Sequence, residues 1–168
     1  MLLQKLIGLD TVVAFEDPTY MKAYKSFVDA GFPVRLVSMD KNGMDILQLE
    51  ESGADIAYVM PSHQYPTGIV MPIGRRLELL KWASKSSKRY VIEDDYDSEF
   101  RYKGKPIPSL QSTDRSDKVI YIGTFSKAVA PAIRVSYMVL PETLIQRYQE
   151  QGSYFSATVS RMDQRILN

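Results

Sequence analysis

The feature that most constrains this chain is a regular exchange between two kinds of segment. Short apolar runs rich in β-branched residues recur: "TVVAFE" (Thr11–Glu16), "PVRLVSM" (Pro33–Met39), "DIAYVM" (Asp55–Met60), "RYVIED" (Arg89–Asp94), "DKVIYIG" (Asp117–Gly123) and "VSYMVL" (Val135–Leu140). Between most of them lie segments with helical spacing. "YMKAYKSFVDA" places Tyr20, Tyr24 and Phe27 on one face, "MDILQLEES" is closed by Gly53, and "GRRLELLKWASKS" spans Gly74–Ser86. A last helix is expected from Pro141 to Gln151. Strands that are apolar throughout, rather than alternately polar, belong in a sheet covered on both faces. The expectation is an α/β three-layer sandwich with a mostly parallel sheet. The helix-like "LLQKLIG" has nothing before it to act as an N-cap, and "SATVSRMDQRILN" lacks a closing glycine, so the domain is expected to be incomplete at both ends.

Composition narrows the function classes. A chain of 168 residues fits one domain with a sizeable core. Its 21 basic and 20 acidic side chains leave a net charge of +1, which gives no footprint for a polyanion. Contact with DNA is therefore expected only through a domain absent from this chain. The lack of cysteine excludes disulfides and thiolate chemistry. No apolar run approaches the roughly 18–20 residues that span a bilayer, so a cytoplasmic protein without a membrane partner is expected.

In an open parallel sheet, ligands bind beyond the carboxyl ends of the strands. Here those positions carry "DPTY", "PSHQYPTG", "DDYDSEF" and "GTFSK", which bring a lysine, carboxylates, hydroxyls and aromatic rings to one edge. Such a set matches the needs of pyridoxal 5′-phosphate. Its aldehyde takes a lysine amine, and its ring nitrogen needs an acid partner to stay protonated. Lys127 supplies the amine. Asp94 at a strand end would brace the ring nitrogen, with strand alternation favouring it over Asp95. Tyr96 would reach the ring hydroxyl oxygen. Arg134, Ser126 and Thr124 flank the lysine as phosphate ligands, and Tyr20 would stack on the ring.

The strings "YVIEDDYDSEFRYKGKPIPSLQ", "PSHQYPTGIVMPIGRRLELL" and "YIGTFSKAVAPAIRVSYMVLP" resemble the fold-type I aminotransferase-like domain of MocR/GabR-type bacterial transcription regulators of the GntR family. The resemblance runs over nearly the whole chain. It implies that Lys127 holds the cofactor, Asp94 pairs with the pyridine nitrogen, Tyr96 accompanies it, Arg134 holds the phosphate and Tyr20 faces the ring. It further implies an amino-compound effector or substrate, a homodimer in the full-length protein, and sensing by exchange of the internal aldimine at Lys127 for an external one. Ordinary aminotransferases of this fold carry "NPTG", whereas this chain has "YPTG" with Tyr65 in place of the asparagine. The winged helix-turn-helix, the glycine-containing phosphate loop and the C-terminal small domain of such regulators have no counterpart in the sequence.

Two other readings use the same residues. In a true aminotransferase, Lys127 would also carry the substrate proton; in a purely structural piece, the fragment would serve dimerisation alone. His63, the sole histidine, reads as a loop bystander without a carboxylate partner in sequence. "RRLELLK" reads as a solvated helix face, and the carboxylates from Glu93 to Glu99 lack metal-ligand spacing.

Overall fold

The apolar runs assemble into a single sheet in a computed structural model that describes residues 2–97, 107–125, 135–151, 159–160 and 164–165. Its strands are β1 (Val13–Asp17), β2 (Val34–Asp40), β3 (Gly43–Met44), β4 (Ile56–Val59), β5 (Tyr90–Asp95), β6 (Val119–Thr124) and β7 (Ser136–Val139). The spatial order is β3-β2-β1-β4-β5-β6-β7. The five strands from β2 across to β6 run parallel, whereas β3 and β7 are antiparallel edges. The mostly parallel α/β sandwich expected from the sequence is thus the observed architecture. Six helices occur among the described residues: α1 (Leu2–Ile7), α2 (Met21–Asp29), α3 (Ile46–Glu51), α4 (Ile73–Ser84), α5 (Leu110–Thr113) and α6 (Glu142–Gln151).

Burial on both faces explains the unbroken apolar character of the central strands. Every residue of β4 is buried, as are the first four of β1. One core joins Ala14, Ala57, Val59, Val91 and Val119 to Leu49 of α3, Leu79 and Trp82 of α4 and Leu110 of α5. The other joins Val13, Phe15, Ile56, Tyr58, Ile92 and Ile120 to Leu3 of α1, Phe27 of α2 and Leu144 of α6. Adjacent residues of one strand therefore serve opposite cores, as the two-residue side-chain period requires. This alternation fixes which acid at the end of β5 points where.

Three local features depart from the sequence reading. The "MDILQLEES" segment does not begin its helix at Met44, which pairs with Met39 in β3. Asp45 is instead the N-cap, its Oδ1 accepting from the backbone N–H of Leu47 (2.8 Å) and Gln48 (3.1 Å). A short α5 that carries no periodic signal appears after Ser109, whose hydroxyl accepts from Ser112 N–H at 3.0 Å. The "RRLELLK" face is not solvated at Arg76, which is fully buried. Its guanidinium donates to the carbonyls of Met71 (3.0 Å), Pro108 (2.9 Å) and Pro61 (2.8 Å) and lies 3.9 Å from Glu93.

Candidate functional site

The carboxyl ends of β1, β4, β5 and β6 meet at one edge of the sheet, and the acids of β5 take up three separate tasks there. Glu93 is fully buried and faces the α4/α5 side, where its two oxygens accept from Leu110 N–H and Gln111 N–H, both at 2.9 Å. It thereby caps the positive end of α5 while Arg76 stands behind it. Burial pushes its carboxyl up, and the two backbone donors oppose that shift. Asp95, on the same side, accepts from the Tyr121 hydroxyl at 2.7 Å.

Asp94 points the other way. Its Oδ2 accepts a hydrogen bond from the hydroxyl of Tyr58, a buried residue on neighbouring β4. Burial pushes the Asp94 carboxyl up, with the Tyr58 hydrogen bond opposing and the Asp95 charge adding to the shift. No cationic side chain among the described residues pairs with Asp94. A half-buried carboxylate without a counter-charge is costly, and a cationic ligand atom offsets that cost. A protonated ring nitrogen is such an atom, so the donor chemistry fits the cofactor expected from the sequence. The preference for Asp94 over Asp95 follows from the same geometry, because Asp95 is occupied on the opposite face.

Three of the remaining sequence candidates lie among the described residues, at the carboxyl ends of β5 and β6 and in the loop after β1. Tyr96 continues from β5, and its hydroxyl donates to the carbonyl of His63 at 2.9 Å. Burial, then the charges of Asp97 and Asp94, push its phenol up to about 12, so it stays a donor at neutral pH. Thr124 closes β6 and donates through Oγ1 to the Val135 carbonyl at 3.3 Å. Tyr20 sits at the start of α2, half-buried, with its ring edge-on to Tyr65 at 5.8 Å between centroids. Ser126, Lys127 and Arg134 lie outside the described residues. The strands on either side of that segment are described: Thr124 pairs with Ser136, and Phe125 N–H donates to Val135 at 3.0 Å. The chain therefore leaves β6 and enters β7 at this edge, next to β5.

Several contributors carried no signal in the sequence. Tyr58 reads as one more core aromatic. Asp97 gives His63 a carboxylate partner, Oδ2 to Nδ1 at 2.8 Å, from 34 positions away, so the bystander reading of His63 lacked its partner. Gln64 is buried and ties two loops of the edge together. Its Nε2 donates to Pro18 O at 2.8 Å, and its Oε1 accepts from Thr67 N–H at 3.1 Å, which sets Tyr20 and Tyr65 side by side.

Glu16 lies beneath these loops and supplies a pH dependence. It is 1% exposed, Oε2 accepts from Met60 N–H at 3.4 Å, and Oε1 has no hydrogen-bond partner among the described residues. Burial pushes its carboxyl from the ordinary 4.5 to about 7. Between those values the folded protein keeps a proton that the unfolded chain has released, so stability falls as pH rises from 4.5 to about 7. The loss should be on the order of 3 kcal/mol above that window. Glu16→Gln should flatten the dependence, as thermal unfolding midpoints across the window will show.

Comparison with known proteins follows the same lines. Residues 3–167 match the family described as aminotransferase class I and II. The uncharacterized HTH-type transcriptional regulator YdeL of Bacillus subtilis strain 168 is 43% identical over 155 residues, which cover 92% of this chain and 33% of that protein. The probable rhizopine catabolism regulatory protein MocR of Rhizobium meliloti is 32% identical over 148 residues, 88% of this chain and 30% of that protein. The chain thus spans about a third of the length of these curated relatives. Among solved structures, Pyrococcus horikoshii kynurenine aminotransferase in complex with PMP superposes with a TM-score of 0.77 at 32% identity, covering 86% of this chain and 38% of that one.

Proposed function

Since the chain belongs to the class I and II aminotransferase family, we propose that it is the large-domain part of a longer MocR-type regulator that binds pyridoxal 5′-phosphate and senses an amino compound. When bound, the cofactor supplies an aldehyde carbon on which amines exchange and a ring that draws electrons. Lys127 would hold that carbon, Asp94 the ring nitrogen and Tyr96 the ring oxygen. Arg134, Ser126 and Thr124 would hold the phosphate, and Tyr20 would cover one ring face.

The observation that carries this reading is Asp94. A half-buried carboxylate oriented by a neighbouring phenol and with no cation among the described residues is poorly explained by fold stability alone. Its neighbour Glu93 shows what an acid with a structural task looks like here, since both of its oxygens accept from the amino end of α5, an element of the layer packed on that face. Regulator relatives at 43% and 32% identity favour sensing over turnover. An effector amine displacing Lys127 would change the contacts at the sheet edge, and those contacts would bias a DNA-binding domain elsewhere in the full-length homodimer.

The test uses the full-length protein. Adding pyridoxal 5′-phosphate should produce an imine absorbance band that is lost in Lys127→Ala. An amine effector should shift the band and alter operator binding without multiple turnovers. A band that survives Lys127→Ala overturns the assignment of that residue. Sustained transamination would replace the sensor with an enzyme acting through the same side chains.

A further inference from the structure

The hydroxyl of Tyr58 is built into the β4–β5 pair in a way that core packing does not require. Tyr58 and Ile92 are register partners, so Tyr58 and Asp94 lie on one face of adjacent strands. The ring of Tyr58 is packed against Phe15 (4.7 Å between centroids, 24° between planes) and meets Phe27 edge-on at 6.3 Å. A phenylalanine would satisfy all of that packing. The additional oxygen emerges at the end of the apolar layer and donates to Asp94 Oδ2. Because the ring is clamped by two aromatics, the hydroxyl has little freedom to point elsewhere.

We propose that Tyr58 is a positioning residue: it aims Asp94 at the ring nitrogen of pyridoxal 5′-phosphate and holds it as a carboxylate. The proposal rests on the cofactor reading above. Its chemistry is that of a donor to the charged form of an acid, which makes the acid less basic. Burial, and then the nearby charge of Asp94, push the Tyr58 phenol well up, so it keeps the proton that it donates to the carboxylate. Among the described residues, the other titratable groups facing this pair are Tyr20 and Glu16 toward Tyr58, and Asp95 and Tyr96 toward Asp94; none of these is a cation. Among the described residues, Tyr58 is thus the group that counters the burial of Asp94. With one oxygen fixed by the phenol, the carboxylate presents the other to a ligand in a set direction. A carboxylate kept weakly basic leaves the shared proton on the ring nitrogen.

The test compares wild-type full-length protein with Tyr58→Phe, Asp94→Asn and the double variant, each loaded with pyridoxal 5′-phosphate labelled with ¹⁵N in the ring. Tyr58→Phe should weaken cofactor binding roughly tenfold, the loss of one charge-assisted hydrogen bond. It should also move the ¹⁵N resonance at neutral pH toward the unprotonated value. In the Asp94→Asn background the same change should have no further effect on either quantity, because Tyr58 acts through Asp94. Replacing Tyr58 with 3-fluorotyrosine, a more acidic phenol of nearly the same size, should move the resonance the other way. This arm keeps the test decisive if Tyr58→Phe folds poorly. Opposite shifts cannot arise from packing. If neither Tyr58 substitution moves the resonance while Asp94→Asn does, the positioning role is wrong and the cofactor reading stands. If Asp94→Asn also leaves it unmoved, both are wrong.

Discussion

Asp94→Asn should lower affinity for pyridoxal 5′-phosphate by roughly 10- to 100-fold, the worth of a hydrogen bond between charged partners, about 1.5–3 kcal/mol. Asparagine keeps the size of the side chain and retains an oxygen that can accept from Tyr58, so the site should stay assembled. What it lacks is the charge that keeps the ring nitrogen protonated. The same substitution should act in the opposite direction on the protein without cofactor. Burial pushes the Asp94 carboxyl up, which means that its ionised form is held in the fold at a cost. The cost is absent below the ordinary carboxylate range and grows as pH rises above it. A neutral amide removes it, and cofactor-free Asp94→Asn should unfold at a temperature equal to or above that of the wild type near neutral pH. Cofactor titration by absorbance and thermal unfolding without cofactor measure the two halves. Gained stability with lost binding marks a residue kept for ligand chemistry. A loss of both would mark Asp94 as structural and remove the main support for the proposed function.

The largest effect on stability should come from Arg76→Ala. The guanidinium satisfies three carbonyls, those of Met71, Pro108 and Pro61, and lies 3.9 Å from the buried Glu93. Removing it leaves those oxygens without their donor and an acid without its counter-charge, a loss of about 3–5 kcal/mol. Against a typical domain stability of roughly 5–15 kcal/mol, much of the protein would fail to accumulate folded. Urea denaturation is the measurement, with Arg76→Met beside it to separate lost volume from lost donors. Methionine should recover only the packing share. If instead Arg76→Met is as stable as the wild type, the hydrogen bonds to Pro61 and Pro108 contribute little. Because Pro61 opens the loop that carries His63 and Tyr65, loosening there should reach the sheet edge as well.

These two residues also show how much the sequence reveals. The facing of Asp94 was legible because strand alternation is a local property: a two-residue period read from Tyr90 onward puts it on the face opposite Glu93 and Asp95, whatever the strand pairs with. The role of Asp94 at the ring nitrogen rests on the resemblance and on the proposal above. Apolar runs fixed six of the seven strands to within a residue or two of their ends. Arg76 was not legible. It sits in "RRLELLK" beside charged neighbours, and its partners lie 15 and 32 positions away at Pro61 and Pro108. Only tertiary packing turns a surface-type residue into a core one. Asp97 escaped attention for the same reason, being distant in sequence from His63, and β3 and α5 are too short to carry any periodicity. Tyr58 was recognised as a strand residue, but its hydroxyl acquires meaning only when β4 and β5 are placed side by side. Lys127, Ser126 and Arg134 rest on the sequence, and the imine band of the Lys127→Ala experiment decides the first of them.

Strand β5 ends in three consecutive acids that differ in sign of direction rather than in kind. Deleting one residue between Tyr90 and Ile92 would bring every later side chain of the strand to the other layer: Glu93 would leave the amino end of α5, and Asp94 would turn toward it. Point substitutions elsewhere along this stretch can be absorbed one at a time, but a change in its length cannot. Natural variants of the domain should therefore tolerate differing residues in β5 and show no gaps within it.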